Sequence, residues 1–284
     1  MELELIADHL SDVRQYQGYV AALCPFHSDH KPSLLVFEND YFSCQACGRS
    51  GSHDQLYQAL TNAHAKRRIS SAPVSWKIPY LPANLEEMQN LAWSCHNILL
   101  KHPDLGWYLE SRGLGDMIGR AALGWYNGWY TIPIFNQDEP KKPAGLYMRA
   151  GPHIQKASGL RFAQPKGQKG MLYVPDWGLL ARRNTLVVPF GVFDALTVAD
   201  LGFASATSIN GKDSFDPTWF DFWRGRIVVI PDEGEEESAM KLASQLSWRG
   251  EVFRPLYPDG AKDLNDMVQA GRGKDLEKML ARYN

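Results

Sequence analysis

The stretch that decides the fold at the start of the chain is CPFHSDHKPSLLVFENDYFSCQACGRSG, residues 24–51. It holds two short ligand pairs, Cys24 with His27 and Cys44 with Cys47, and two residues separate the members of each pair. Sixteen residues lie between the pairs. Each tight turn places two ligands on one side of a loop, and two such loops close a tetrahedron around Zn²⁺ with no open position. The spacing therefore predicts a structural rather than a catalytic zinc ion.

The residues around these pairs fit the same prediction. The runs SLLVF and DYFSC are typical of short strands, and Gly48 directly follows Cys47, where a turn aims backbone amides at the thiolates. His30 is an alternative fourth ligand, although its spacing from Cys24 is less favourable. The chain has 4 cysteines, and Cys95 lies on a predicted amphipathic helix far from the others, so we expect it to be an ordinary core or surface thiol. A metal site is more economical here than a disulfide framework.

Length and composition exclude several classes of protein. The chain has 284 residues, of which 44% are hydrophobic and 22% are charged, enough for a buried core and for more than one folding unit. Its 24 glycines and 17 prolines follow no repeat, which excludes collagen-like and low-complexity proteins. No apolar run approaches the roughly 20 residues of a membrane span, and the N-terminus is acidic and amphipathic rather than a leader. We therefore expect a cytoplasmic protein.

Composition and periodicity divide the chain into three predicted domains and a linker. A zinc-binding domain at 1–60 is followed by a Ser/Pro/Lys/Arg-rich linker at 61–84. Residues 85–183 combine a helical pattern in EEMQNLAWSCHNILLKH with aromatic strands such as GWYTIPIF and AGLYMRA. Residues 184–284 alternate strands (TLVVPFGVF, ASATSIN, RIVVIPD, EVFRPLY) with helices, the pattern of a parallel α/β sheet. The predicted fold class is a multidomain α+β protein: a small zinc-ribbon-like β domain, a mixed α+β basic domain and an α/β domain.

Charge is segregated along the chain although the net charge is only −2. Residues 1–60 carry 3 basic and 8 acidic residues, 61–183 carry 16 and 8, and 184–284 carry 11 and 16. The densest basic stretch, 140–175, has no acidic residue and is interleaved with aromatic residues and glycines, which suits contact with phosphates and stacking on bases. A merely solvated basic face is the alternative. The basic residues of this stretch are Lys141, Lys142, Arg149, Lys156, Arg161, Lys166 and Lys169.

Beyond these patterns, the sequence resembles the DnaG-type primases of bacteria and phages, in the family's order along nearly the whole chain. The strings CPFHSDHKPS and YFSCQACG are similar to the zinc-binding domain of that family. The next group of motifs is similar to the basic subdomain of its polymerase core: YLESRGL, LGW, IPI, GLYMR and KGMLY. A last group is similar to a Toprim domain: VVPFGVFDAL, IVVI with the following Asp232, and KDLND.

The resemblance implies a DNA-directed nucleotidyltransferase that makes short primers on single-stranded DNA from nucleoside triphosphates. Mg²⁺ or Mn²⁺ would be held by carboxylates at the carboxyl edge of the parallel sheet. The residues expected there are Asp194, Asp232, Asp263 and Asp266. The residues expected to bind nucleic acid or nucleotides are Arg112, Arg149, Lys156, Arg161, Lys166 and Lys169.

The sequence departs from the family pattern at two acidic positions. Phe190 stands where the family has a glutamate before Gly191, and Gly234 stands where it has a second acid after Asp232. A phenyl ring is neither a general base nor a metal ligand. Glutamates 233 and 235–237 follow and are able to supply a displaced ligand, but a glutamate run that opens a helix is ordinarily favourable N-terminal charge.

Three functions remain open on the sequence. The first is an active primase, and the second is a catalytically inactive primase-derived protein that holds single-stranded DNA; a Toprim nuclease is the third and weaker one. The chain has no P-loop of the GxxxxGK[ST] type, so any helicase is expected to be a separate chain. The sequence ends soon after the Toprim-like segment, which favours a phage, plasmid or other mobile element as the source.

Overall fold

A computed structural model describes residues 3–16, 19–37, 41–61, 81–139, 141–152, 154–155, 159–258 and 260–283. Most of the predicted linker, residues 62–80, lies outside the described residues. The described residues divide into two compact units. The first draws on Met1–Tyr80, Asn127–Trp129 and Arg149–Ala163, and the second on Leu81–Tyr126, Tyr130–Met148 and Gln164–Asn284.

The start of the chain forms an antiparallel sheet between two helices. Helix α1 (Leu3–Ala7) precedes β1 (Arg14–Tyr16), β2 (Tyr19–Ala22), β3 (Leu34–Phe37), β4 (Tyr41–Cys44) and β5 (Ser50–Gly51), and α2 (His53–Thr61) follows. The strands pair in sequence order and every pair is antiparallel. One core contains Ile6, Val20, Cys24, Leu34, Val36, Phe42, Cys44 and Leu56. The predicted strands SLLVF and DYFSC are confirmed.

Helix α3 (Leu85–Lys101) is the long helix predicted at EEMQNLAWSCHNILLKH. The Asn84 side chain caps it by accepting hydrogen bonds from the amides of Glu86 and Glu87, at 2.9 and 3.3 Å. Strand β6 (Gly124–Tyr126) lies directly on this helix, because a Cβ added at Gly124 would be 2.5 Å from the Cys95 carbonyl carbon. Two short helices, α4 (Trp107–Ser111) and α5 (Met117–Arg120), connect α3 to β6.

The aromatic strands predicted in the middle of the chain also form. Strand β6 is followed in one sheet by β7 (Trp129–Phe135), β8 (Pro143–Ala150) and β9 (Phe162–Ala163), in that order. Strand β10 (Leu172–Tyr173) and helix α6 (Trp177–Leu180) come next.

The last part of the chain contains the predicted parallel sheet. Strands β11 (Thr185–Pro189), β13 (Arg226–Ile230) and β14 (Gly250–Val252) pair in that order and are parallel. Helices α7 (Val192–Asp200) and α8 (Glu236–Gln245) follow β11 and β13, and α9 (Leu264–Gln269) and α10 (Gly273–Leu280) close the chain. Buried side chains from the sheet, α7, α9 and α10 form one apolar core.

Three of the predicted strands are shorter than expected. In the run TLVVPFGVF the strand ends at Pro189, and Val192 and Phe193 already belong to α7, because Gly191 is the N-cap of that helix. In the run ASATSIN only β12 (Thr207–Ser208) is a strand, and it pairs antiparallel with β10, while Ser205 makes a single parallel bridge to Val187. Strand β14 ends at Val252, before Pro255, which has no N–H to donate to a sheet. No helix in the described part of the chain is long and apolar enough to cross a membrane.

Candidate functional site

The structure brings the four predicted zinc ligands together. One potential ligand atom from each of Cys24, His27, Cys44 and Cys47 lies within 4.8 Å of the others. The Sγ atoms of Cys24 and Cys47 are 3.7 Å apart, and the Sγ of Cys44 is 3.3 Å from Nε2 of His27. Three sulfurs and one imidazole nitrogen are the donor set of a closed structural zinc site. The residues therefore fit zinc.

Backbone geometry positions these ligands. Cys44 is the last residue of β4 and pairs with Leu34 of β3. After Cys44 the chain turns sharply: Gly48 has φ +73° and its amide donates to the Cys44 carbonyl at 2.9 Å. This left-handed conformation favours glycine. The turn also aims the Cys47 amide at the Cys44 sulfur, 3.3 Å away, as the sequence predicts for Gly48.

A second layer of polar groups orients the ligands. The Asp29 carboxylate accepts from the Cys24 amide at 2.9 Å and from the Ser33 hydroxyl. The Ser33 oxygen lies 3.3 Å from the Cys44 sulfur and 3.4 Å from Nε2 of His27. Nδ1 of His27 lies 3.1 Å from the Ser28 carbonyl. Since that nitrogen must carry the proton to donate to a carbonyl, Nε2 is left with the lone pair that a metal needs.

The electrostatics of the cluster also favour a metal ion. Hydrogen bonds from the sulfurs of Cys24 and Cys47 lower the pKa of Cys44, whereas hydrogen bonds with Cys44 and then Cys47 raise the pKa of Cys24. A bound zinc ion would hold all three sulfurs as thiolates.

The other residues considered for this site lie elsewhere. His30 is exposed and is not part of the group of potential ligands. Cys95 is fully buried on α3, where burial raises the pKa of its thiol to about 12. Both observations agree with His27 as the fourth ligand and Cys95 as a core thiol.

The predicted acidic residues gather at the carboxyl edge of the parallel sheet. Asp194 lies in the first turn of α7 after β11, Asp232 follows β13, and Asp263 is the N-cap of α9. Asp194 is 3% exposed, and its carboxylate accepts a hydrogen bond from the backbone amide of Asn265 at 2.8 Å.

Burial and mutual repulsion raise the pKa of these carboxyl groups. Burial, and then the charges of Asp263 and Glu235, raise the pKa of Asp232 to about 7. Burial, and then the charges of Asp263 and Asp232, raise the pKa of Asp194 well above its usual range, and burial also raises that of Asp263. A cluster of this kind gains from a bound cation, which offsets the repulsion. Among the described residues, however, only the Cys/His group is drawn together closely enough to be a ready metal site.

The fourth predicted acid, Asp266, has structural contacts. Its side chain accepts from the Lys262 amide at 3.2 Å, and its own amide donates to Asp263 at 2.7 Å. Its Oδ1 lies 3.6 Å from one guanidinium nitrogen of Arg112. The other terminal nitrogen of that guanidinium group donates to the Gln269 side chain at 3.2 Å. Arg112, predicted to bind nucleic acid, is thus placed beside the acidic residues.

The structure also shows the surroundings of Phe190 and Gly234, the two positions at which the sequence resemblance leads us to expect an acidic residue. Phe190 is 5% exposed and packs on Phe215, so its position at the end of β11 is apolar. Gly234 has φ +82° in the turn after Asp232, and the Glu235 amide donates back to the Asp232 carbonyl at 3.0 Å. The turn brings the Glu235 side chain near Asp232, where it pairs with Lys212 at 3.0 Å.

The predicted basic residues differ in accessibility. Arg161, Lys166 and Lys169 are exposed, whereas Arg149 is half-buried. The neighbour of Arg161 along the chain, Phe162, is 55% exposed and offers a ring for stacking. Lys156 lies outside the described residues.

Sequence reasoning missed several residues that support the sites. Asp29 and Ser33 lie within the zinc-binding motif, but their spacing does not reveal that they orient the ligands. Asn265 is fully buried, and its side-chain amide donates to the Arg112 backbone carbonyl and to the Thr197 hydroxyl, both at 2.8 Å. Its place in the string KDLND was the only signal. Lys212 had no sequence signal, because its partner Glu235 lies on another element.

Comparison with known proteins adds two findings. Residues 3–72 match the family model of the CHC2 zinc finger, the zinc ribbon of DnaG. The fold is similar to the zinc-binding and RNA polymerase domains of the Aquifex aeolicus primase, with a TM-score of 0.55 and 14% identity over 100% of this chain and 83% of that one. It is also similar to the RNA polymerase domain of Mycobacterium tuberculosis primase DnaG, with a TM-score of 0.54 and 14% identity over 68% of this chain and 81% of that one.

None of the curated proteins matches the sequence significantly. At 14% identity the structural similarity concerns the fold alone. The chain therefore carries a CHC2 zinc ribbon of the DnaG type, and its fold is similar to that of bacterial primase zinc-binding and RNA polymerase domains.

Proposed function

We propose that this protein is a DNA primase that synthesises short oligonucleotide primers on single-stranded DNA. One observation carries the proposal. The chain contains a CHC2 zinc ribbon at residues 3–72, and over its full length its fold resembles the zinc-binding and RNA polymerase domains of a primase. The acidic residues at the carboxyl edge of the parallel sheet support it, because nucleotidyl transfer needs charge compensation at such an edge.

Each part has a separate role in this proposal. The zinc ribbon selects the template. The exposed basic residues Arg161, Lys166 and Lys169, with Arg149, bind template and nucleotides through their phosphates. The Toprim-like sheet edge performs the transfer, and the primer end and the incoming nucleotide meet there.

A divalent ion at that edge would be held by Asp232 and Asp263, with Asp194 behind them. Bound Mg²⁺ or Mn²⁺ supplies the charge that neutralises the triphosphate and activates the primer hydroxyl. Asp194 is buried and accepts a hydrogen bond from the Asn265 backbone amide, so it positions the start of α9 and does not need to contact the ion itself. Asp266 and Arg112 hold the start of α9 in place beside it.

The biological setting belongs to the same proposal. We place the protein in the replication of a phage or another mobile element, with a replicative helicase as a separate chain.

One observation favours a second function. Phe190 fills the position of an expected glutamate with a buried ring that packs on Phe215. A protein that has lost catalysis but still holds single-stranded DNA for a replication complex would tolerate this replacement. The two functions differ in primer synthesis and not in DNA binding.

The deciding experiment is a primer-synthesis assay on single-stranded DNA with labelled nucleotides and either Mg²⁺ or Mn²⁺. The wild type is compared with Asp232→Ala, which removes a carboxylate whose charge is unfavourable in the folded protein and therefore leaves the fold intact. A primase gives product that the variant loses.

A further inference from the structure

A small cavity lies on one side of helix α8. Ser238, Lys241, Leu242 and Gln245 of the helix line it, and the loop at 212–215 faces them across it. Its volume is about 70 Å³. Since a single water molecule needs roughly 10–15 Å³ of such space, the cavity has room for a group of a few heavy atoms with their oxygens.

The loop is fixed to the helix by two polar contacts. The Ser238 hydroxyl donates to Asp213 at 3.1 Å, and the Lys212 ammonium lies 3.0 Å from the Glu235 carboxylate at the start of the helix. The next aromatic residue of the loop, Phe215, lines the cavity and packs on Phe190 at the end of β11. These contacts therefore fix the loop that forms one wall of the cavity.

Lys241 brings to the cavity a positive charge that no carboxylate of a described residue pairs. Lys212 and Lys241 both line it, and Asp213 is its only carboxylate among the described lining residues. The Asp213 side chain is engaged by the Ser238 hydroxyl. No carboxylate of a described residue lies within 4.0 Å of the Lys241 ammonium, so this charge is available to a ligand.

The position of the cavity relates it to the acidic edge. Lys212 lines the cavity and also pairs with Glu235, and the charges of both act on Asp232. A group in the cavity would thus contact Lys212, the same lysine that pairs with Glu235 beside Asp232. Phosphate oxygens bind lysine ammonium groups as point charges, and a phosphoryl group matches the size of the space.

We propose that this cavity is a phosphate subsite in which Lys241, with Lys212 beside it, binds an anionic phosphoryl group. The phosphoryl group belongs either to the triphosphate tail of a nucleotide or to the backbone of a polynucleotide at the acidic edge. This inference rests on the proposed function for the identity of the ligand, but not for the phosphate chemistry.

The test uses the full chain at low ionic strength without added divalent metal. Isothermal titration calorimetry measures binding of inorganic tripolyphosphate, and fluorescence anisotropy measures binding of a labelled single-stranded oligonucleotide. The variants are Lys241→Ala and Lys241→Arg, which leave the Lys212 pair untouched. Lys278→Ala is the matched control, because Lys278 is an exposed lysine on another helix, α10.

A subsite for the nucleotide tail predicts that Lys241→Ala weakens tripolyphosphate binding about tenfold and leaves oligonucleotide binding unchanged. A subsite for the backbone predicts the reverse. In both cases Lys241→Arg retains most of the affinity and Lys278→Ala behaves as wild type.

Unchanged affinity of Lys241→Ala for both probes overturns the subsite, as does an equal loss in Lys278→Ala. Circular dichroism confirms that each variant is folded. If Lys241→Ala loses phosphate binding while the wild type makes no primers, the subsite stands and the proposed primase activity fails. The two ideas are therefore separable.

Discussion

The ring of Phe190 lies 5.7 Å from the ring of Phe215, centroid to centroid, at the end of the first strand of the parallel sheet. Phe215 is in turn 6.2 Å from Phe220, which is fully buried. An apolar cluster therefore occupies the place where the family resemblance leads one to expect a glutamate. In the proposed function, a divalent ion at this edge would therefore be held by Asp232 and Asp263 without that glutamate.

The zinc site gives the first prediction. Cys44→Ser should abolish stoichiometric zinc, since it removes the thiolate that contacts His27 and Ser33. Zinc content is measured by atomic emission on the purified chain. Cys95→Ser and His30→Ala are the controls and should keep the metal. Full zinc occupancy in Cys44→Ser contradicts the assignment.

The second prediction concerns the polar groups behind the ligands. Ser33→Ala should weaken zinc binding about tenfold, because second-layer hydrogen bonds of this kind typically contribute 10–100-fold to metal affinity. Competition with a chromogenic chelator measures the change. Ser28→Ala serves as control, since Ser28 is exposed and contacts His27 through its backbone carbonyl. Equal affinities of the two variants would show that Ser33 has no such role.

Single-strand binding provides the third prediction. Lys169→Glu should weaken oligonucleotide binding. It should also reduce the slope of the logarithm of the binding constant against the logarithm of the salt concentration, because a phosphate contact that releases a counterion is lost. The matched control is Lys278→Glu, an exposed charge reversal on α10. Anisotropy titrations at several salt concentrations give both quantities. If Lys169→Glu keeps the wild-type salt slope, Lys169 is not a template contact.

The fourth prediction is a pH dependence. Burial raises the pKa of Asp232 from 3.8 to about 7, so the folded chain binds this proton more tightly than the unfolded chain. The stability contributed by protonation is full below pH 3.8 and is lost as the pH rises through about 7. The side chain in Asp232→Asn is neutral at every pH. At pH 8 the variant should therefore unfold at a higher urea concentration than wild type, and its free energy of unfolding should be higher by at most about 4 kcal/mol.

Urea titrations at pH 5 and pH 8, followed by tryptophan fluorescence without added magnesium, measure this difference. Asp221→Asn is the control, because Asp221 is exposed. A stability difference between Asp232→Asn and wild type that is the same at both pH values would argue against a buried, proton-binding Asp232.

The zinc ribbon was predictable from the sequence because its information is local. Two ligand pairs with two-residue spacers and the following Gly48 determine the loops, and the strands between them follow from short apolar runs. The parallel pairing of the last sheet was also predictable, since strands and helices alternate there. The ends of the strands were not, as Pro255 and the short β12 show.

The details of the acidic edge depend on contacts between distant parts of the chain. The Asn265 amide meets Asp194, and the Arg112 side chain meets Asp266 and Gln269. Neither contact leaves a mark in local composition. The pair of Lys212 and Glu235 likewise exists only because the turn at Gly234 and the loop at 212–214 meet in the fold.

Primer synthesis tests the central claim most directly. Purified full-length chain, single-stranded DNA, labelled nucleotides and Mg²⁺ or Mn²⁺ are combined for wild type, Asp232→Ala and the Asp221→Ala control. We predict short products with wild type and the control, and none with Asp232→Ala, while all three bind single-stranded DNA equally. Absence of product from the wild type with either metal, alongside intact DNA binding, would contradict the account and leave the DNA-holding protein as the function.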